Sequence, residues 1–304
     1  MLYRPDPILR PMVWGSELWV LSGYAERLSV MSGGPGEGLT INQLICEQGE
    51  RLVGRECLRR FGDSFPLLIK FLDVHAPLSV QVHPSEEFAR ERQGLHGKTE
   101  MWYVVDAQPG AGLMAGFSRS ITPDEFERRI ADGSITDVIA RHSIAAGDVF
   151  FIPPGRVHAL LPGSYIAEIQ QSSDSTYRIW DYNRPGLDGK LRPLHTALAR
   201  EVLDYEAHSD YRTVYEARKD APVPLVSCDW FTTSMLDITG RYVMDLSSLD
   251  SFVVLTCVNG SGKVICGSDS AALARGGCLL VPACEDSVTF EPDGGTFKVL
   301  ITHV

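Results

Sequence analysis

The chain lacks any stretch that could cross a bilayer: nowhere in its 304 residues does an apolar run approach the ~18 residues a membrane-spanning helix needs. The opening MLYRPDPILRPMVWG places prolines where a secretory leader requires an apolar helix, so no targeting segment is expected. Positive charge is also scarce. Lys and Arg number 28 against 39 Asp and Glu, a formal net charge of −11. That excludes a nucleic-acid partner, since binding a phosphate backbone depends on a basic face that displaces counterions. Any anionic ligand must be met by a few local cations. The seven cysteines are odd in number and contain no CxxC pair. Cys257, Cys266 and Cys278 fall in strand-like runs that suit buried thiols, which points to the reducing cytoplasm rather than to a disulfide framework.

What is present is a globular chain, 44% hydrophobic, long enough for two domains. Residues 1–57 read as short β runs, such as Leu18 to Leu21 and Leu28 to Met31, between Gly-rich turns. Two apolar β runs lie between Phe65 and His83, parted by Ala76-Pro77, and a third spans Met101 to Val105. From Ser118 to His142 the pattern becomes helical. Thr122-Pro123-Asp124-Glu125 is a capping box with proline at the first helical position, and Phe126, Ile130, Ile135 and Ile139 follow, with a break near Gly133. A second helix is predicted near Leu194 to Leu203, and residues around Ala217 to Pro224 have linker composition. Strand-like runs return in the last eighty residues. There Gly276-Gly277-Cys278-Leu279-Leu280-Val281-Pro282 echoes Gly147-Asp148-Val149-Phe150-Phe151-Ile152-Pro153, an internal repeat. Eleven residues after Gly147 stands His158; eleven after Gly276 stands Ser287, which cannot bind a metal as histidine does.

Four side chains form a candidate metal set. Gln81 and His83 alternate on one strand and so project from one face. Glu100 opens the next β run, and His158 ends another, after the Pro153-Pro154-Gly155 turn. Two nitrogens and two oxygens suit zinc with an open position for water or substrate. Taken singly, each has a plainer reading: His83 before Pro84 as a turn histidine, Glu100 beside Lys98 as a surface ion pair, His158 as a histidine after a glycine turn. Spacing alone leaves both readings open.

The segments LSVQVHPSEEFA, GKTEMWYVV, GDVFFIPPGRVHAL, AEIQQSSDSTYRIWDYNR and GKLRPLH, in that order, resemble the type I mannose-6-phosphate isomerases, especially their shorter bacterial members. The opening PMVWGSELW resembles the start of that family through Trp14 and Gly15. The resemblance implies a mainly β fold of two cupin-type β-barrels (jelly rolls), the second degenerate, with a small α-helical insertion at about 118–142. A catalytic cupin domain would occupy 1–220 and a metal-free cupin-like domain 221–304. It implies one zinc ion on Gln81, His83, Glu100 and His158, with Arg178, Lys98 and Glu168 as catalytic residues and Trp14 and Glu26 at the substrate. Around Glu26 the residues RLSVMS depart from the family pattern, and Gly97 stands where other members place histidine.

The activity implied is interconversion of mannose 6-phosphate and fructose 6-phosphate by proton transfer between C2 and C1 through an enediol. Arg178 can stabilise enediolate or phosphate with its forked donors. Lys98 and Glu168 are both candidates for the proton carrier if desolvated. The alternatives are a non-catalytic, metal-stabilised sugar-binding cupin, a cupin acting on another sugar phosphate, and a metal-dependent oxygenase or epimerase, from which Gln81 and Glu100 tilt away. The partner expected is a small sugar phosphate, with no nucleic acid and no membrane; self-association as a homodimer is left open. Lys70 is anomalous inside PLLIKFL. It reaches an interior carboxylate, meets the substrate phosphate, or snorkels outward. His75, His96, His142, His195, His208 and His303 lack comparable context and read as structural.

Overall fold

The computed structural model describes residues 1–304. Its contacts group the chain into two compact units: Met1–Ile8, Trp19–Ile69 and Val214–Val304 in one, Leu9–Leu18 and Lys70–Thr213 in the other. No helix is long and apolar enough to cross a membrane.

The unit containing Lys70–Thr213 is built from antiparallel strands. One sheet runs in the order Ile8–Met12, Gly15–Ser22, Leu67–Val74, Ser164–Gln171, Glu100–Ala107, Val149–Ile152, Arg212–Thr213; the other runs Tyr177–Trp180, Val80–Val82, His158–Leu160, Gly112–Phe117, Ile139–Ser143. Because side chains alternate along a strand, each strand of the second sheet faces two ways. Val80, Val82, Ala159, Tyr177 and Ile179 pack with Phe126, Ala199 and Leu203 of the helices Pro123–Asp132 and Thr196–Val202 and their connections. The intervening residues, Gln81, His158 and Arg178, point to the opposite face. Leu72, Val74, Trp102, Val104, Leu113, Phe150 and Leu160 form a separate cluster, so Lys70 stands on the core-facing row of its strand.

The helical insertion is shorter than its expected span. Thr122 caps the Pro123–Asp132 helix through Glu125 N–H, and Gly133 ends it at φ 77°. A 3-10 turn covers Ile135–Val138, but Ile139–Ser143 is an edge strand beside Gly112–Phe117. Ile135 and Ile139, four residues apart, fit a helical period and a two-residue period equally well, and sheet pairing decides between them.

In the other unit a five-stranded sheet runs Val223–Ser227, Thr232–Ile238, Phe297–His303, Val253–Asn259, Cys278–Val281, and a four-stranded one runs Tyr242–Asp245, Ser287–Pro292, Ser261–Cys266, Asp269–Ala274. The repeated glycine-led strands are both present, as Val149–Ile152 and Cys278–Val281. The side chains packed here, among them Leu236, Val264, Val288, Phe290 and Phe297, are apolar. The end of the 1–57 span expected as strands and hairpins is helical instead: Ile41–Gln48, Glu50–Val53 and Arg55–Phe61, the last running past it. Thr40 and Gln43 form a full capping box, and Gly49, Gly54 and Gly62 close the three helices at positive φ. Glycines in this stretch serve as helix caps, not as hairpin turns.

Gly116 shows how tightly the site-bearing unit is packed. At φ 73° its Cβ position lies 2.0 Å from the Tyr211 ring. Tyr211 in turn donates its hydroxyl to Phe117 O at 2.9 Å. Gly116→Ala combines left-handed strain with overpacking and should cost about 2–4 kcal/mol, read as a lower denaturant midpoint at unchanged m-value; an unchanged midpoint would contradict this packing.

Candidate metal centre

Strand register assembles the site. Gln81 lies directly opposite His158, and Arg178 opposite Gln81 on the other side. On the facing sheet, Glu100 pairs with Gln170 and Trp102 with Glu168, so period-two alternation aims Glu100 and Glu168 to the same side. The Nε2 atoms of His83 and His158 each approach Glu100, on Oε2 and Oε1, at 3.4 Å. The ligand atoms of these three residues all lie within 4.8 Å of one another, and all three side chains are buried. The Gln81 amide is 3.2 Å from His158 Nε2; a half-turn of that amide presents its oxygen there.

Backbone carbonyls orient both imidazoles. His83 Nδ1–H donates to Ser175 O at 2.9 Å and His158 Nδ1–H to Arg156 O at 2.8 Å, which leaves each Nε2 as a lone-pair donor. Trp102 stands edge-on to His158, ring centroids 5.3 Å apart. Burial, followed by the charge of His83, lowers the His158 pKa to about 3. Burial and then Lys98 lower that of His83. Burial works against ionising Glu100, but Lys98 and the two histidines overcome it and hold the carboxyl well below its usual range. Its oxygens have no aligned hydrogen-bond donor, although the Lys98 ammonium makes an ion pair at 2.6 Å. Two neutral imidazoles around an ionised carboxylate with uncommitted lone pairs fit a divalent cation, and the Gln81 amide oxygen is a further oxygen donor at the same place.

The charges continue beyond the ligands. Lys98 Nζ lies 3.2 Å from His83 Nε2 and 3.3 Å from Glu168 Oε1. Lys70 Nζ meets the same Glu168 oxygen at 3.4 Å. Of the three readings of Lys70, the structure selects the interior carboxylate. Burial raises the Glu168 pKa to about 7, aided by Glu100 and opposed by the two lysines. Burial would depress Lys98, but Glu100 and Glu168 outweigh it, so its ammonium is held above the usual value.

Arg178 donates from Nη1 to Pro193 O at 2.8 Å, while its Nε is buried without a partner. Burial, then Arg192, lowers its pKa. Beside it Asp181 receives Arg192 through two contacts of 2.6 Å and Arg184 at 2.9 Å. These arginines lie within the motifs DYNR and GKLRPLH, although only Arg178 stands out in the sequence. Trp14 is buried in the apolar cluster, its carbonyl accepting from His75 N and Ala76 N. A Cβ at the neighbouring Gly15 would lie 1.9 Å from Asp73 O, so close packing explains the Trp-Gly pair. Glu26 is exposed in the 3-10 turn Ala25–Arg27, in the other unit. At Gly97, a Cβ would fall 2.4 Å from Glu86 N, and the Glu86 carboxylate accepts Gly97 N–H at 2.9 Å. The helix beginning at Glu86 takes the room a larger residue would need.

Comparison with known proteins gives two family models. Residues 6–115 match "Phosphomannose isomerase type I, catalytic domain" and residues 223–304 match "Mannose-6-phosphate isomerase, cupin domain". The chain is 32% identical to the probable mannose-6-phosphate isomerase GmuF of Bacillus subtilis, over 98% of each chain. It is similar to the crystal structure of the mannose 6-phosphate isomerase from Bacillus subtilis, with TM-score 0.88, 27% identity, and coverage of 100% of this chain and 99% of that one. A mannose 6-phosphate isomerase solved with zinc bound shares the fold at TM-score 0.79 and 15% identity, each chain covered to 99%.

The ligand set is testable without an assay of turnover. Protein equilibrated with a zinc salt and desalted should retain one ion per chain by atomic emission, and His158→Ala or Glu100→Gln should weaken retention about 100-fold or more. Both histidines titrate below the ordinary value of about 6.5. Their nitrogens therefore remain unprotonated below that pH, and metal content should hold from about pH 8 to about pH 5.5. Metal loss centred near 6.5 would show that these are ordinary exposed imidazoles. Metal-free protein, conversely, should lose stability below about 6.5, where the unfolded chain takes up protons that the fold refuses.

Proposed function

The chain belongs to the type I phosphomannose isomerase family, and from that premise we propose that it interconverts mannose 6-phosphate and fructose 6-phosphate with zinc held by Gln81, His83, Glu100 and His158. One observation carries this reading: Glu168, a carboxyl brought to about pKa 7, sits 3.3 Å from Lys98, which is itself 2.6 Å from Glu100. A sugar-binding protein without catalysis has no use for a proton-transfer group built against its metal ligands.

Glu168 as carboxylate removes the C2 proton of the open-chain aldose. The C–H electron pair becomes the C1–C2 double bond, and the carbonyl oxygen at C1 takes on charge and a proton to give the enediol. Return of a proton to C1, with loss of one from the C2 hydroxyl, yields the ketose. Lys98, held protonated, donates to the oxygen that gains charge, and Arg178 adds its fixed positive charge. Zinc, when bound, supplies a Lewis acid that polarises the sugar oxygens without a redox change. The choice of Glu168 over Lys98 as base follows from their opposite shifts: only the carboxyl is brought toward neutrality.

Arg184 and Arg192 pair with the Asp181 carboxylate, and Arg178, near enough to feel the charges of all three, keeps its Nε uncommitted. In a chain of net charge −11 this local excess of cations supports binding of the phosphate dianion. Trp14 and Glu26 keep lesser roles in this reading, Trp14 supporting the site through packing. Residues of this chemistry fall within 1–220, which supports a catalytic portion there, and the apolar packing of 221–304 supports a portion without metal chemistry. All seven cysteines are unpaired, in keeping with a reducing cytoplasm.

A coupled assay with purified protein and mannose 6-phosphate tests substrate and metal together. Chelator should abolish fructose 6-phosphate formation and zinc restore it. Arg178→Ala should lower kcat/KM by about 100- to 1,000-fold with metal content unchanged. Full turnover after both treatments would reject the mechanism, whereas binding of mannose 6-phosphate without turnover in the untreated protein would favour the sugar-binding alternative.

A further inference from the structure

We propose that Glu17 is a positioning residue that acts through Lys70 to hold the Glu168 carboxylate in its working geometry. The proposal rests on the reading of Glu168 as the base. Glu17 comes from the N-terminal strand Gly15–Ser22, far in sequence from every motif that marks the site, yet residues Leu9–Leu18 group with Lys70–Thr213. Its carboxylate is buried, 8% exposed, a state carboxylates almost never reach without a paired charge. Its Oε2 lies 3.8 Å from Lys70 Nζ and 3.8 Å from Arg10 Nη1.

Placed in order, the charges alternate from the edge of the fold to the metal ligands: Arg10, Glu17, Lys70, Glu168, Lys98, Glu100. Each interior member is held between two opposite charges. Lys70 and Lys98 approach the same oxygen of Glu168, at 3.4 and 3.3 Å, so the place where Lys70 rests decides how that carboxylate is turned. A lysine ammonium rides on a flexible four-carbon stem and has no orientation of its own. Glu17 supplies the second anchor. Its ion pairs run to Arg10 and Lys70, and its effect on turnover passes through Lys70.

The test uses Glu17→Gln, which keeps size and removes charge, and Glu17→Asp, which keeps charge. Misplacing a catalytic group by about 1 Å can cost about 100-fold, so Glu17→Gln should lower kcat by about 10- to 100-fold. KM should stay within about twofold, the pattern of an interaction needed in the transition state, and zinc content should be unchanged. Glu17→Asp should recover most of kcat. A crystal structure of Glu17→Gln should show Lys70 Nζ about 1 Å or more from its place beside Glu168. Unchanged kcat in both variants, equal kcat loss in both, a loss confined to KM, or a Lys70 that does not move overturns the proposal. Should Glu17→Gln fail to fold, the double variant Arg10→Gln/Glu17→Gln, which removes that ion pair together instead of stranding Arg10, takes its place: a displaced Lys70 ammonium with a lowered kcat supports the proposal, and an unmoved ammonium or an unchanged kcat rejects it. If the unsubstituted protein forms no fructose 6-phosphate, the functional reading fails, while the position of Lys70 in the variant still decides the role of Glu17.

Discussion

A carboxylate removed from water must be compensated by positive charge or by hydrogen bonds, at a penalty of several kcal/mol if it is not. Glu100 is removed completely: it is fully buried, and neither oxygen has an aligned hydrogen-bond donor. Much of the surrounding arrangement answers that one requirement. Two imidazoles approach its oxygens, Lys98 pairs with it, and Lys98 in turn needs Glu168, which needs Lys70. The shifts in protonation follow from this order. Glu100 and Lys98 keep their charges through each other, whereas Glu168, raised first by burial and then by the neighbouring Glu100 carboxylate, is brought to about 7 despite its two lysines.

The residues gathered in the candidate metal centre carry local signals in the sequence. Gln81 lies in the strand Val80–Val82 with His83 just past its end, and Gln81, His83, Glu100 and His158 each belong to a motif long enough to stand apart from chance. Lys70 was legible as an anomaly, a charge inside an apolar run. Its partners were not, because they depend on which strands are neighbours: Leu67–Val74 lies beside both Gly15–Ser22 and Ser164–Gln171, an adjacency that period-two alternation does not specify. Glu17 carried no local signal, since a glutamate near the N-terminus reads as a surface charge until the sheet order buries it.

The fold was legible in class more than in detail. Short alternating runs marked a mainly β protein, and the capping box at Thr122 marked the insertion helix. The same device at Thr40 and Gln43 marks the first of the three helices of residues 41–61, within a stretch whose glycines fit a turn as well as a helix end. A glycine at positive φ serves both purposes, and the capping pair distinguishes them. The two glycine-led repeats became equivalent strands that serve different surroundings. Val149–Ile152 pairs with the strand bearing Glu100, whereas Cys278–Val281 pairs with a strand whose partners are apolar.

The two histidine rings are oriented by main-chain carbonyls, of Ser175 and Arg156. Every amino acid has that carbonyl, so the side chains at 156 and 175 do not enter into the direction of the ligand nitrogens. A lineage can therefore exchange those residues, and drift widely across the whole chain, while the angular frame of the site is inherited through the backbone path alone. Identity near one third with a relative of almost equal length is the divergence such a frame permits.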